Sequence, residues 1–481
     1  MRKLVRVFVS IIVAGIAAAP ATVSAQQGEP DSAAIAPRVD SVFAEYDRTG
    51  SPGCALGVIR SGELIYARGY GMANLDLGVA ITPASVFRIG STSKQFTAAA
   101  VVLAAQNGEL SLDDDIRGYL PELPGYGTTI TIRDLLHHTS GIRDYIGLMR
   151  LAGLREDDWF TDDEVVAMVA RQQATNFEPG SKFLYSNSGY FLISQIIRRA
   201  TGLSLREYAG RHIFRPLGMT HTHFHDDHKE IVANRASGYA PVDGGGFRIS
   251  MTTLDMVGDG GVFTTVEDLL LWDRNFYGPR VGGEEFLRTM LQRGVLASGD
   301  TLDYALGLVH GSYRGLATVR HGGAWVGFRA EMIRFPEQRF SVICLCNLAS
   351  ASPSRLAERV ADVYLADLLE PVEEREGRGG GRSESEAAEA PEYTVAELAA
   401  FAGTYHSDEL DSAYRIYVEE GELRVQRGRR APVPIRPTGT DEFEVEGARV
   451  TFERDGSGRP ESFVLDAGRV RGIRFVRIGG E

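Results

Sequence analysis

A chain of 481 residues, 43% of them apolar and 24% charged, can bury a large core and is too apolar to be disordered; its length allows two or three domains. Acidic residues outnumber Lys and Arg by 64 to 51, a formal charge of -13 with no basic stripe, which excludes a nucleic-acid partner held through its phosphates. Cys54, Cys344 and Cys346 are too few for a disulfide framework, and a Cys-x-Cys pair on one strand is poorly placed to bridge itself, so all three are expected as buried core thiols.

Met1-Arg2-Lys3, an apolar run from Val7 to Ala19 and Val23-Ser24-Ala25 read as a cleavable export signal, with a mature chain beginning near Gln26 in the periplasm or the medium. The run falls short of the ~20 residues of a comfortable span, which makes an uncleaved anchor the lesser reading, and no other segment comes close to spanning. The leader holds no Cys for lipid attachment, so no stable membrane insertion is expected after cleavage.

A helical stretch around Pro37 to Asp47 comes next. Cys54-Ala-Leu-Gly-Val-Ile and Glu63-Leu-Ile-Tyr-Ala-Arg then form a hairpin about a Ser61-Gly62 turn. Phe96 to Ala105 is apolar or small on nearly all sides and ends at Asn107-Gly108, the pattern of a buried helix. Residues 130 to 230 read as mainly helical, with stretches at Asp162 to Arg171 and Gly189 to Ala200. Between Thr318 and Asn347 two β-rich runs flank a turn at Pro336-Glu337-Gln338, and Leu356 to Leu369 is helical. Residues 371 to 392, rich in Glu and Gly, read as a flexible linker. Beyond it, segments such as Tyr414 to Val418, Glu422 to Val425 and Arg449 to Glu453 alternate apolar and polar residues between turns. They amount to about eight strands, enough for a small antiparallel barrel.

Three segments carry chemistry. Ser91-Thr-Ser-Lys94, at the mouth of the buried helix, puts Ser91 and Lys94 on one face a turn apart. A serine hydroxyl needs a neighbouring base, and a lysine can serve where burial and nearby positive charge lower its pKa. In Phe183-Leu-Tyr-Ser-Asn-Ser-Gly189, Tyr185 and Asn187 are two apart and would point the same way in an extended loop. In Arg320-His-Gly-Gly-Ala-Trp325, glycines would let a substrate carbonyl approach, and the Ala324 N–H could join that of Ser91 as an oxyanion hole.

In chain order and spacing these segments resemble the Ser-x-x-Lys, Tyr-x-Asn and Lys/His-x-Gly motifs of the class C β-lactamases and their relatives, the D,D-peptidases, D-aminopeptidases and esterases. Thr131 to Gly141, Phe214 to Met219 and Gly260 to Thr265 also look like family landmarks, so the likeness covers residues 37 to 370. The tail resembles the lipocalin-like domain appended to some D-aminopeptidase-like hydrolases, whose loop would border the cleft. The resemblance implies an α/β fold of the β-lactamase/transpeptidase-like sandwich type: a mostly antiparallel sheet flanked by helices, with a helical subdomain and then a small all-β barrel. The boundaries are 1–25 for the signal peptide, 26–370 for the serine hydrolase domain, 371–392 for the linker and 393–481 for the barrel. It implies Ser91 as nucleophile of an acyl-enzyme, Lys94 and Tyr185 as proton-transfer partners, and Asn187, His321, Gly323 and Ala324 as substrate-binding support, with no cofactor.

One departure stands out. His321-Gly322-Gly323 replaces the Lys-Thr-Gly of many β-lactamases, which removes a fixed positive charge and a hydroxyl and weakens the case for a β-lactam carboxylate. The expected substrates are small molecules or peptides, ranked as short esters or D-amino-acid amides, then cell-wall peptides cleaved by D,D-carboxypeptidase action, then β-lactams. A non-catalytic periplasmic binder is the alternative of another class. The preferred acyl group, the role of the barrel and the oligomeric state stay open.

His223-Phe-His225-Asp-Asp227-His228 matches a zinc-gathering pattern of metallo-β-lactamases. It follows Pro216-Leu-Gly-Met219, a landmark of the serine family, so a polar surface loop is expected in place of a catalytic metal; whether the four residues bind any metal stays open.

Overall fold

The run Cys54-Ala-Leu-Gly-Val-Ile offers no polar residue to either side, and a strand of that kind needs cover on both faces. In the computed structural model it has it. The structure describes residues 32–155, 158–371, 391–428 and 430–479, so the leader and nearly all of the Glu- and Gly-rich segment lie outside it. The main elements of the first part are α1 (Ser32–Val42), β1 (Cys54–Arg60), β2 (Glu63–Tyr70), α2 (Lys94–Gln106), α3 (Asn187–Thr201), α4 (Val266–Asn275), β3 (Val309–Tyr313), β4 (Leu316–Trp325), β5 (Phe328–Phe335), β6 (Phe340–Cys346) and α5 (Pro353–Tyr364). The six strands form one antiparallel sheet in the order β3-β4-β5-β6-β1-β2.

Side chains alternate across that sheet as a period of two requires. Leu56, Val58, Val342 and Cys344 face Val39 and Phe43 near α1 and Leu356 and Val360 of α5. Ala55, Ile59, Ile343 and Leu345 face Phe96 of α2 and Val266, Leu269 and Trp272 of α4. The hairpin turns at Ser61 and Gly62, both with positive φ (52° and 81°), as expected.

Other expectations are corrected. The first described helix runs Ser32–Val42 with Pro37 inside it, where a stretch from Pro37 to Asp47 was expected. The β-rich region holds three strands where two were expected, since Gly322 and Gly323 stay within β4 and the chain reverses at Val326-Gly327 before the turn after Pro336. The cysteine reading fails more plainly: Cys54 and Cys346 are directly opposed on β1 and β6 and joined by a disulfide across 292 residues, leaving Cys344 as a free buried thiol. Pairing of strands so remote in sequence is not visible in cysteine spacing.

The C-terminal strands are β7 (Gly403–Ser407), β8 (Ser412–Glu419), β9 (Glu422–Arg427), β10 (Val433–Gly439), β11 (Glu442–Val445), β12 (Ala448–Arg454), β13 (Pro460–Ala467) and β14 (Val470–Ile478). They close into an eight-stranded barrel, as expected. Tyr405, Tyr414, Phe443, Phe452, Phe463 and Phe475 fill its interior, Phe463 stacking on Phe475 at 4.6 Å. The barrel is therefore a packed body that works through its rim.

That rim is bonded to the first part of the chain. Arg143 forms a buried ion pair with Glu409 at 2.5 Å, Tyr414 donates to the Leu151 carbonyl at 2.7 Å, and Ser412 donates to that of Ala152 at 3.0 Å. Among the described residues no helix is long and apolar enough to cross a membrane.

Candidate active site

A single 3₁₀ turn, Gly90–Ser93, leads into α2, so Ser91 sits at the mouth of a buried helix and Lys94 is its first residue. The turn lies tight against β4. A Cβ on Gly323 would stand 1.9 Å from the Ile89 carbonyl oxygen, and one on Gly90, whose φ is 51°, would stand 2.8 Å from the Ala324 nitrogen. Glycine at both positions brings the Ala324 backbone beside the Ser91 turn, where the two N–H groups can serve one oxyanion.

Lys94 is fully buried and reaches three oxygens: Ser91 Oγ at 3.3 Å, Asn187 Oδ1 at 2.9 Å and the Asp259 carbonyl at 2.6 Å. A neutral amine has two N–H donors and one lone pair. With the donors on Asn187 and Asp259, the lone pair is left for the Ser91 proton. Burial lowers the Lys94 pKa to about 8; the charges of Asp259 and Asp144 oppose that shift and Arg469 reinforces it. Asp259 is the reciprocal case, its carboxyl pushed up by burial and held back by Lys94.

Asn187 corrects an expectation. It opens α3 instead of lying in an extended loop, so its relation to Tyr185 is that of a helix start to the loop before it. Its backbone N–H and Nδ2 both donate to Asp144 Oδ2, at 2.7 and 2.9 Å, which turns Oδ1 toward Lys94. The Tyr185 hydroxyl is buried and, among the described residues, meets no partner at full hydrogen-bond geometry; burial pushes its pKa upward, and the Ser91 hydroxyl close to it counters part of that push. Lys94 Nζ lies 4.8 Å from the Tyr185 ring centre.

His321 is buried on β4 and its pKa is down at about 4, through burial first and the Lys94 charge second. It is a neutral ring, with Nδ1 2.7 Å from the Gly322 carbonyl, to which it donates, and Nε2 3.0 Å from the Tyr304 hydroxyl, from which it accepts. All seven residues expected at the site thus meet in one place. Ser91, Tyr185, Asn187, His321, Gly323 and Ala324 line a cleft of about 910 Å³, and Lys94 forms its floor behind Ser91.

Sequence reasoning missed several members. Tyr304 holds His321, and His138 packs on Tyr185 with ring centres 4.1 Å apart while accepting from the Ser186 N–H. Asp144 and Asp259 orient Asn187 and Lys94. His138 lies in a segment already singled out, and Asp259 is flanked by glycines at 258, 260 and 261, a signal that could have found it. Arg469 carries no such signal. It sits in the β13–β14 turn of the barrel, over the Tyr185 ring at 4.7 Å, and is one of several barrel residues, Arg427, Glu446 and Ala467 among them, that line the cleft.

The histidine-rich motif does not converge. His223 and His225 face each other at 3.3 Å with Glu230 nearby, whereas His228 pairs with Asp255 at 2.8 Å beside Asp227. Both oxygens of Glu230 are taken by Arg206.

The Beta-lactamase family model matches residues 39–366. A D-aminopeptidase of Gluconobacter oxydans (strain 621H) is 27% identical over 428 residues, covering 86% of this chain and 76% of its own. A D-aminopeptidase of Cereibacter sphaeroides (strain ATCC 17023) is 26% identical over 406 residues, covering 84% and 73%. Among solved structures, the octameric penicillin-binding protein homologue from Pyrococcus abyssi superposes with a TM-score of 0.62 at 22% identity, covering 93% of this chain and all of its own. The D-amino acid amidase from Ochrobactrum anthropi SV3, complexed with L-phenylalanine amide, gives 0.58 at 23%, covering 69% and 99%. At such identities the solved structures speak for the fold. With the family model spanning more than half of its length, the chain belongs to the beta-lactamase family of serine hydrolases.

Proposed function

We propose that this enzyme hydrolyses short esters and D-amino-acid amides through an acyl-enzyme on Ser91, and that it acts outside the cytoplasm. The observation that carries the reading is the buried Lys94, which reaches Ser91 from behind while Ser91 lines a substrate-sized cleft. Neutral Lys94 takes the Ser91 proton as Oγ bonds to the substrate carbonyl carbon, and the N–H groups of Ser91 and Ala324 receive the oxyanion. Tyr185 passes a proton to the departing alcohol or amine as the carbonyl re-forms. Water, deprotonated by the same pair, then releases the acid and restores Ser91. Asn187 and His321 orient the substrate, the second as a neutral ring.

The amide preference is supported by the D-aminopeptidases of similar sequence. Export is supported by the leader and by the Cys54–Cys346 bond, which suits an oxidising compartment. The test is a kinetic panel of a short-chain ester, a D-alanine amide, a peptide ending in D-alanyl-D-alanine and a β-lactam. The expected order of kcat/KM is that of the panel as written; a lead for the β-lactam would reverse it, and turnover of none would leave a binding protein.

A further inference from the structure

The histidine-rich segment 223–230 takes no part in the reaction, since none of its residues lines the cleft. It divides into two clusters. In one, His228 is already committed: its backbone N–H and Nδ1 both meet Asp255, at 2.7 and 2.8 Å, and the same Asp255 accepts from Trp159 Nε1 at 3.2 Å.

The other cluster has the geometry of a metal site. His223 Nε2 faces His225 Nδ1 at 3.3 Å, Glu230 Oε2 lies 3.7 Å from His225 Nδ1, and the three donor atoms stand within 4.8 Å of one another. Two nitrogens bound to one zinc ion at about 2.05 Å and the tetrahedral angle are about 3.3 Å apart, which is the spacing of these two rings. Burial keeps both rings neutral, lowering the His225 pKa to about 4 and that of His223 below the ordinary histidine value, so each can turn a lone pair on the gap by choice of tautomer. Arg206 fixes the carboxylate. It donates to Oε2 and Oε1 of Glu230 at 2.7 and 2.8 Å, which uses one lone pair of each oxygen and leaves Oε2 another. The same guanidinium donates to Asp226 at 2.9 Å, so two carboxylates face one cation.

Backbone pairing holds the donors in place without an ion. The short strand His223–Phe224 pairs with Val262 and Phe263, the His225 N–H donates to the Gly261 carbonyl at 2.8 Å, and the His225 ring packs edge-on against Phe263 at 4.5 Å. Two residues before Gly261 stands Asp259, whose carbonyl accepts from Lys94.

We propose that His223 Nε2, His225 Nδ1 and Glu230 Oε2 bind one zinc ion, its fourth position left to water, and that the ion is structural. It pins the segment 223–230 to the strand that follows Asp259, and so steadies the acceptor of Lys94 from outside the cleft. Imidazole nitrogen with one carboxylate oxygen is a donor set that suits zinc and not magnesium or calcium.

The test uses the full, untagged chain, stripped with a chelator and dialysed, then titrated with zinc alone against a chromophoric chelator, with thermal unfolding of the same samples. The expected result is one zinc per chain at micromolar affinity or tighter and a melting temperature that rises with zinc. His223→Gln and Glu230→Gln each weaken the affinity at least about tenfold and remove the zinc-dependent rise, while His228→Ala keeps both at the parental level. Absence of one-to-one binding at micromolar zinc, parental affinity in His223→Gln, or loss of binding in His228→Ala would overturn the site. Labelling of Ser91 by a fluorophosphonate should proceed in the stripped chain, and its abolition by the chelator would overturn the structural role.

Discussion

Lys94 and Gln95 are neighbours on one helix, and each anchors a buried polar cluster, yet the clusters differ in kind. Around Gln95 the charges and donors face one another: Trp272 Nε1 donates to Gln95 Oε1 at 2.6 Å, Arg334 pairs with Asp273 at 2.9 Å and stacks on Phe276, and Ser341 donates to the same Asp273 oxygen, while Asp273 Oδ2 and Arg334 Nη1 meet no partner among the described residues. That cluster ties α2 and α4 to the sheet and lies away from the cleft. Around Lys94 the groups are equally buried, but Ser91 is open to the cleft. Both clusters shift pKa values through burial, Asp273 upward and Arg334 downward as surely as Asp259 and Lys94. A shifted pKa therefore does not mark a site by itself; a shifted group that reaches a nucleophile in a cleft does.

The sharpest way to break the comparison is to remove one member from each cluster. Ser91→Ala should lower kcat/KM by about 10⁴-fold or more, the scale seen when an acyl-enzyme nucleophile is lost, while leaving the melting temperature close to that of the parent. Arg334→Met should do the reverse. Leaving Asp273 as an unpaired buried carboxylate costs about 3–5 kcal/mol, visible in denaturant unfolding, while the activity per folded molecule is kept. A Ser91→Ala protein with full activity, or an Arg334→Met protein that is stable and inactive, would exchange the two roles.

The disulfide adds a third effect on the stability side. Reducing Cys54–Cys346 should cost about 2–4 kcal/mol, read as a lower unfolding midpoint with reductant and the same loss in Cys54→Ser.

The pH profile sharpens the catalytic half. A base acts when deprotonated, and the Lys94 pKa is lowered from the ordinary lysine value to about 8, so kcat/KM should rise with pH through 8 and level off above it. His321 stays neutral down to about 4, so no inflection from it is expected near 6.5. A profile falling through pH 8 would contradict Lys94 as the base. The smallest effect is that of Tyr304→Phe, which takes the donor from His321 Nε2; the loss of about 1 kcal/mol corresponds to about fivefold in kcat/KM.

What the sequence disclosed follows the range of the interactions involved. Ser91 and Lys94 are legible because three residues along a helical turn set their meeting, and the barrel is legible because alternation and turns are local. Asn187 was found for its chemistry and misplaced in geometry, since a helix start and an extended loop share the same few residues. The Cys54–Cys346 bond, the hold of Tyr304 on His321 and the arrival of Arg469 depend on contacts made only when distant segments pack. Resemblance to a family supplied the order of the motifs, but it could not foresee a cation brought from the second domain.

The most direct measurement is fluorophosphonate labelling of the full chain, followed by intact mass and peptide mapping, with Ser91→Ala and Lys94→Met beside the parent. The account expects one adduct on the peptide that contains Ser91, none in Ser91→Ala and a much slower reaction in Lys94→Met. An adduct on another residue, or labelling at the parental rate without Lys94, would contradict the claim that this lysine makes Ser91 a nucleophile.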